Sequence, residues 1–138
     1  MRAIACLCVM LAAIGTARAD PAKFPTDEVV RKEMAAIRDL TVNVHTLVTH
    51  RRMPPAEASA YNAKIEAAVA RIEAGTTLTG EAREEIEKLA RYIARGARAV
   101  AREDDMDPID GIVIIDESLA VYAKRFDHPE WKPLREHP

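Results

Sequence analysis

Histidine and methionine side chains come close together at residues 45–55, where the sequence reads HTLVTHRRMPP. His45, His50 and Met53 are the groups with metal-binding chemistry in this stretch. Imidazole and thioether ligands suit copper, whereas imidazole combined with carboxylate suits nickel or zinc. These residue types therefore predict the capture of a transition-metal ion by a non-catalytic binding protein.

Helical geometry limits how this metal site can be built. His45 and His50 are five positions apart, which places them about 140° apart around a helix that turns about 100° per residue. They can bind one ion together only if the helix ends before His50. Further ligands must come from another part of the chain, and Asp105 and Met106 are the candidates, since they precede the last helical segment.

The same residues have a purely structural interpretation. In this interpretation the histidines lie at the end of a helix and bind no metal. The arginines beside them pair with acidic residues from another loop. We expect Arg51 and Arg52 to face Asp104 and Asp105 in that case. Exposed ion pairs of this kind contribute only about 0 to 1 kcal/mol each.

A second candidate surface is basic. Arginines recur at spacings of four, three and four residues and so form a stripe along one helix. The stripe predicts a docking surface for an acidic protein partner, helped by Trp131 in the tail, or else it is a solvated face matched to the helix dipole. Its members are Arg91, Arg95, Arg98 and Arg102.

Catalytic arrangements find little support in the sequence. Ser59 and Ser118 fall inside helical segments without an obvious histidine and acid beside them. Asp116 and Glu117 are adjacent, so on a helix they point about 100° apart, which is unsuitable for a paired-carboxylate site. We therefore predict that the protein is not an enzyme.

The first nineteen residues resemble a secretory signal peptide. Arg2 supplies the positive charge, residues 3–15 form an apolar run, and Ala17-Arg18-Ala19 is a cleavage signal. Cleavage would remove both cysteines, which excludes disulfides, thiolate ligands and a cysteine nucleophile from the exported protein. We expect a periplasmic or secreted protein.

Charge and length restrict the partners and the number of domains. Without Arg2 and Arg18, the exported chain has 18 basic and 22 acidic residues, which argues against nucleic acid as a partner. No later segment is long and apolar enough to span a membrane. The sequence predicts one domain and leaves open whether it is a monomer or a homodimer.

Apolar residues recur at spacings of three and four in four segments. The first begins near Thr26 as its cap, and the second opens at Pro54-Pro55 and ends at Gly75. The third begins at Thr79 or Gly80, and the fourth begins with Asp107 as cap and Pro108 in the first turn. Short connections favour an all-α, antiparallel, up-down-up-down four-helix bundle over residues 20–126, with the proline-rich tail 127–138 packed on it.

Gly96 lies on the apolar stripe of the third segment, where glycine is costly. It can allow close approach of a neighbouring helix or of a large side chain such as Tyr61. Alternatively, it can leave room for a small ligand near His45. We favour close packing.

Residues 26–126 resemble, in architecture, the cytochrome c-prime and soluble cytochrome b group of periplasmic four-helix bundles. Covalent members carry Cys-x-x-Cys-His near the end of the last helix, but residues 121–126 read VYAKRF, so covalent haem is excluded. Non-covalent members hold haem between a methionine early in the first helix and a histidine late in the fourth. The resemblance implies Met34 and His128 for these positions, and a haem-binding carrier as an alternative function.

Overall fold

Four α-helices follow one another in a computed structural model of the chain, which describes residues 22–134. They are α1 Glu28–Thr49, α2 Pro55–Gly75, α3 Gly80–Val100 and α4 Pro108–Arg125. Strand-like pairing in this part of the chain is limited to an isolated bridge between Phe24 and Phe126. The predicted all-α four-helix bundle is confirmed. The predicted signal peptide lies outside the described residues.

The helix starts follow the capping residues. Asp107 accepts a hydrogen bond from the Ile109 backbone N–H at 2.9 Å, with Pro108 in the first turn, as the sequence predicts. The predicted cap of α1 is wrong. Asp27 caps this helix by accepting from the Val30 N–H at 2.8 Å, whereas the Thr26 hydroxyl donates to the carbonyl of Asp127.

Helices α1 and α3 end with the same backbone turn. Arg51 and Arg102 adopt left-handed conformations, with φ of 54° and 60°. In each case the next N–H bonds back into the helix, from Arg52 to Leu47 and from Glu103 to Arg98, both at 2.8 Å. Arg102 therefore lies outside α3, and the prediction that it continues the helical arginine stripe is wrong.

Each helix packs against its neighbours in sequence, and α1 also packs against α4, so the four surround one core. The Glu33–Arg71 ion pair joins the start of α1 to the end of α2, and Glu85–Arg125 joins the start of α3 to the end of α4. None of the described helices is long and apolar enough to cross a membrane. The largest fully buried side chains are Tyr122, Phe126, Met34, Ile37, Ile65, Ile72, Ile86, Ile93, Ile112, Ile115, Leu119 and Val30.

Two glycines allow the backbones of α3 and α4 to approach each other very closely. A Cβ atom added to Gly96 would lie 2.5 Å from the carbonyl oxygen of Gly111 and 2.7 Å from the Ile115 side chain. A Cβ on Gly111 would lie 2.6 Å from the carbonyl oxygen of Gly96. The close-packing interpretation of Gly96 is confirmed, although the neighbour is α4 and not Tyr61.

Candidate functional site

A histidine and an aspartate link α1 to α4. His45 Nε2 lies 2.8 Å from Asp116 Oδ2, and the two side chains are 14% and 31% exposed. The second carboxylate oxygen of Asp116, Oδ1, is buried and has no hydrogen-bond partner. A carboxylate readily accepts several hydrogen bonds, so Asp116 has unused capacity.

Two cavities adjoin this pair. The first, of about 280 Å³, lies along α4, and its described lining is apolar except for Asp116. The second, of about 380 Å³, includes His45 and lies along α1. Leu134 lines both. We call the combined space the α1/α4 cleft, lined by Val42, His45, Thr46, Asp116, Leu119, Ala120, Ala123, Trp131, Pro133 and Leu134.

The C-terminal tail forms the outer wall of the cleft. Arg38 of α1 holds the tail by donating hydrogen bonds to the carbonyls of Lys132, at 2.6 Å, and Pro133, at 3.2 Å. The ring of Trp131 packs edge-on against Tyr122, with 4.9 Å between centroids. These contacts place the indole ring of Trp131 in the same cavity lining as Ala120 and Ala123.

A buried hydroxyl pair joins α1 to α2 in the core. Tyr61 and Thr41 are 2.9 Å apart, and Thr41 donates to the Ile37 carbonyl, so the phenol is the donor of the pair. Burial raises the pKa of Tyr61 far above its usual value, and the negative charge of Asp116 adds to this rise. Tyr61 therefore remains a neutral donor, and the field of Asp116 reaches into the core.

The predicted metal ligands occupy different surroundings. His45 pairs with Asp116, which the sequence interpretation left out of the site. His50 and Asp105 are exposed, Met106 is half-buried, and Met53 packs against the core. Within residues 22–134, no group of three or more histidine, cysteine, aspartate or glutamate side chains is arranged to hold a metal ion. Capture of copper, nickel or zinc stays a prediction from sequence.

Ion pairs do connect the helix ends around the predicted metal site, but Arg51 does not pair with the expected Asp104 or Asp105. Arg51 pairs with Asp107 at 3.0 Å, and Arg95 pairs with Asp104 at 3.4 Å. The hydrogen bond from the Ile109 N–H, followed by the Arg51 contact, lowers the pKa of the Asp107 carboxyl. Asp107 therefore acts as a helix cap that also ties α1 to α4.

The two residues implied as haem ligands both take part in packing. Met34 is fully buried in the core. His128 Nδ1 lies 2.7 Å from the Tyr122 hydroxyl, and its ring packs against Trp131. Burial, with the positive charge of Arg31, lowers the pKa of His128. Neither residue lines the α1/α4 cleft, and haem binding stays a prediction.

The predicted docking residues are divided between two surfaces. Arg91 and Arg95 are exposed on α3, and Arg98 is half-buried in its last turn. Trp131 instead lines the α1/α4 cleft. An acidic protein partner for the remaining arginines stays a prediction.

Comparisons with family models, with curated proteins and with solved structures found no match to this chain. The resemblance to soluble cytochromes therefore stays an interpretation of the helical pattern.

Proposed function

We propose that the protein is a non-catalytic binding protein that takes a small, mainly apolar molecule into the α1/α4 cleft. The observation that carries this proposal is the cavity of about 280 Å³ with apolar walls and one carboxylate, Asp116. Small-molecule sites combine such apolar linings with a few polar groups that orient the ligand.

The way in which α1 and α4 are joined supports the proposal. Near the cleft the helices are linked by the polar His45–Asp116 contact and by the tail held on Arg38. Apolar atoms of Leu119, Ala120 and Ala123 face the cavity. A bound molecule would cover this apolar surface, and burying such surface contributes about 25 cal/mol per Å².

We propose that binding takes place after export, because residues 1–19 have the pattern of a cleaved signal peptide. N-terminal sequencing of protein recovered from the periplasm or medium tests this. The expected first residue is Asp20, whereas a chain that still begins at Met1 would contradict export by cleavage.

Fluorescence offers a direct test of the cleft, because Trp131 is the single tryptophan of the sequence and lines the cavity. The neutral apolar probe N-phenyl-1-naphthylamine should bind and quench Trp131 by energy transfer. Ala120→Leu should weaken this binding at least about tenfold, because the added side chain fills the cavity.

A matched control is Ala67→Leu, which adds the same bulk to an exposed position of α2. This variant should bind the probe like the unmodified protein. Equal binding by the Ala120→Leu variant, or an absence of binding in all three proteins, would contradict the proposed function.

A further inference from the structure

We infer that the ligand of the α1/α4 cleft is a small organic cation, an aliphatic amine in its ammonium form. This inference rests on the proposed function and names its ligand class. In the cavity along α4, Asp116 is the one charged group among the described lining residues, and Trp131 is the one aromatic group. The charge and the aromatic ring both favour a positive ligand over a neutral or negative one.

The carboxylate of Asp116 supplies negative charge at the cavity wall. His45 contacts Oδ2, and Oδ1 is buried. The side chain as a whole is 31% exposed and lines the cavity, so it would attract an ammonium group mainly through its charge. Opposite charges near a protein surface attract each other more strongly than they do in bulk water.

The indole of Trp131 favours the same charge. A cation within about 6 Å of an indole face is attracted by the ring electrons, and tryptophan is the most favourable aromatic residue for this contact. The tail carbonyls of Lys132 and Pro133 are held by Arg38, so Trp131 is fixed at the cavity wall. An ammonium group between Asp116 and Trp131 would interact with both.

The rest of the cavity lining favours a ligand with an aliphatic chain. It includes four aliphatic side chains that form no hydrogen bonds, those of Leu119, Ala120, Ala123 and Leu134. The volume of about 280 Å³ is near the lower limit for small-molecule sites, so the ligand should be short. A six-carbon chain with a terminal amine has these properties.

A charge series with one carbon chain tests the inference. Hexylammonium, 1-hexanol and hexanoate are each titrated at pH 7 while Trp131 emission is recorded. Hexylammonium should bind at least about tenfold more tightly than 1-hexanol, and hexanoate should bind most weakly. Asp116→Asn should reduce hexylammonium binding to the level of 1-hexanol. The matched control Asp110→Asn removes an exposed carboxylate from the same helix and should keep the preference.

Equal binding of hexylammonium and 1-hexanol, or a preference that survives Asp116→Asn, would overturn the inference and leave the cleft itself intact. Binding of none of the three compounds would also overturn the inference, and only a simultaneous absence of N-phenyl-1-naphthylamine binding would overturn the proposed function as well. If Asp116→Asn does not fold, Trp131→Leu studied by calorimetry replaces it. This variant should weaken hexylammonium binding several-fold more than 1-hexanol binding, and an equal loss for both would also overturn the inference.

Discussion

Helix α4 meets its two neighbours in opposite ways. Toward α3 it presents Gly111, whose backbone touches that of Gly96 so closely that neither position has space for a methyl group. On another side, Asp116 contacts His45 of α1, and Asp116 and Ala120 line a cavity of about 280 Å³ beside the C-terminal tail. The contact of α4 at Gly111 is therefore packed as closely as the backbone allows, whereas the side that carries Asp116 and Ala120 is open.

The difference separates the part of the bundle that fixes the fold from the part that can accept a ligand. Backbone atoms at the glycine contact cannot move without moving a whole helix. At the cleft, a hydrogen-bonded pair and a tail hold the helices, and these contacts leave space. A small increase in side-chain volume should thus destabilise the protein strongly at the glycine contact and very little at the cleft.

The largest effect is expected from Gly96→Ala. The new Cβ would lie 2.5 Å from the Gly111 carbonyl oxygen, so α3 and α4 must separate. We expect a loss of about 3 kcal/mol in the free energy of unfolding, the upper part of the usual range for overpacking. Urea unfolding followed by circular dichroism measures it.

Gly75→Ala is the control for this substitution. Its Cβ would meet only the Val29 side chain, at 3.3 Å, at the end of α2. The change should be within about 0.5 kcal/mol. Equal losses in the two variants would show that the glycine contact has no special role.

Next in size is the link across the cleft. His45→Ala removes the hydrogen bond to Asp116 and should cost about 1.5 kcal/mol of unfolding free energy. The same substitution at His50, exposed at the end of α1, should cost less than about 0.5 kcal/mol. Indistinguishable urea midpoints for the two variants would contradict a role for His45 in joining the helices.

The tail should make stability depend on pH. Burial and Arg31 lower the pKa of His128 in the folded protein below its ordinary 6.5, so the unfolded chain binds the proton more readily. The contribution of neutral His128 to the free energy of unfolding is therefore fully present above pH 6.5. It is lost as the pH falls from 6.5 toward the lower pKa that His128 has in the folded protein. The stability difference between the unmodified protein and His128→Gln should therefore narrow from pH 8 to pH 5. A difference that is constant with pH would refute this assignment.

The smallest expected effect on stability comes from Ala120→Leu. This substitution adds more atoms than Gly96→Ala, but the leucine side chain would point into the open cavity. The unfolding free energy should therefore change by less than about 0.5 kcal/mol. Thermal and urea unfolding provide the check. A loss comparable to that of Gly96→Ala would mean that the α1/α4 side is as tightly packed as the other.

Much of the fold was predictable because its signals are local. Asp107 with Pro108, the double proline before α2 and the glycine at its end mark helix ends in the sequence itself. Thr26 was misassigned as a cap because Asp27 is equally suited by type. Arg102 was assigned to α3 because its spacing continues the stripe, whereas α3 ends at Val100 and Arg102 is left-handed.

The candidate site was less predictable because it depends on which helices lie side by side. His45 was noticed for its chemistry, but its partner Asp116 lies 71 positions away. One signal was available, since Asp116 follows the buried Ile115 and precedes Leu119 on the apolar stripe of α4. A carboxylate so close to the core needs a partner. The match between Gly111 and Gly96 likewise depends on the packing of α3 on α4.

The most direct test of the difference between the two sides of α4 is a nuclear magnetic resonance titration of ¹⁵N-labelled protein with hexylammonium. We expect the amide signals of Asp116, Ala120 and Ala123 and the indole signal of Trp131 to shift together with one affinity. Signals of Tyr92 and Val121, on the outer groove between α3 and α4, should stay in place. Shifts centred on Tyr92 and Val121, or no shifts at all, would contradict the difference between the two sides of α4.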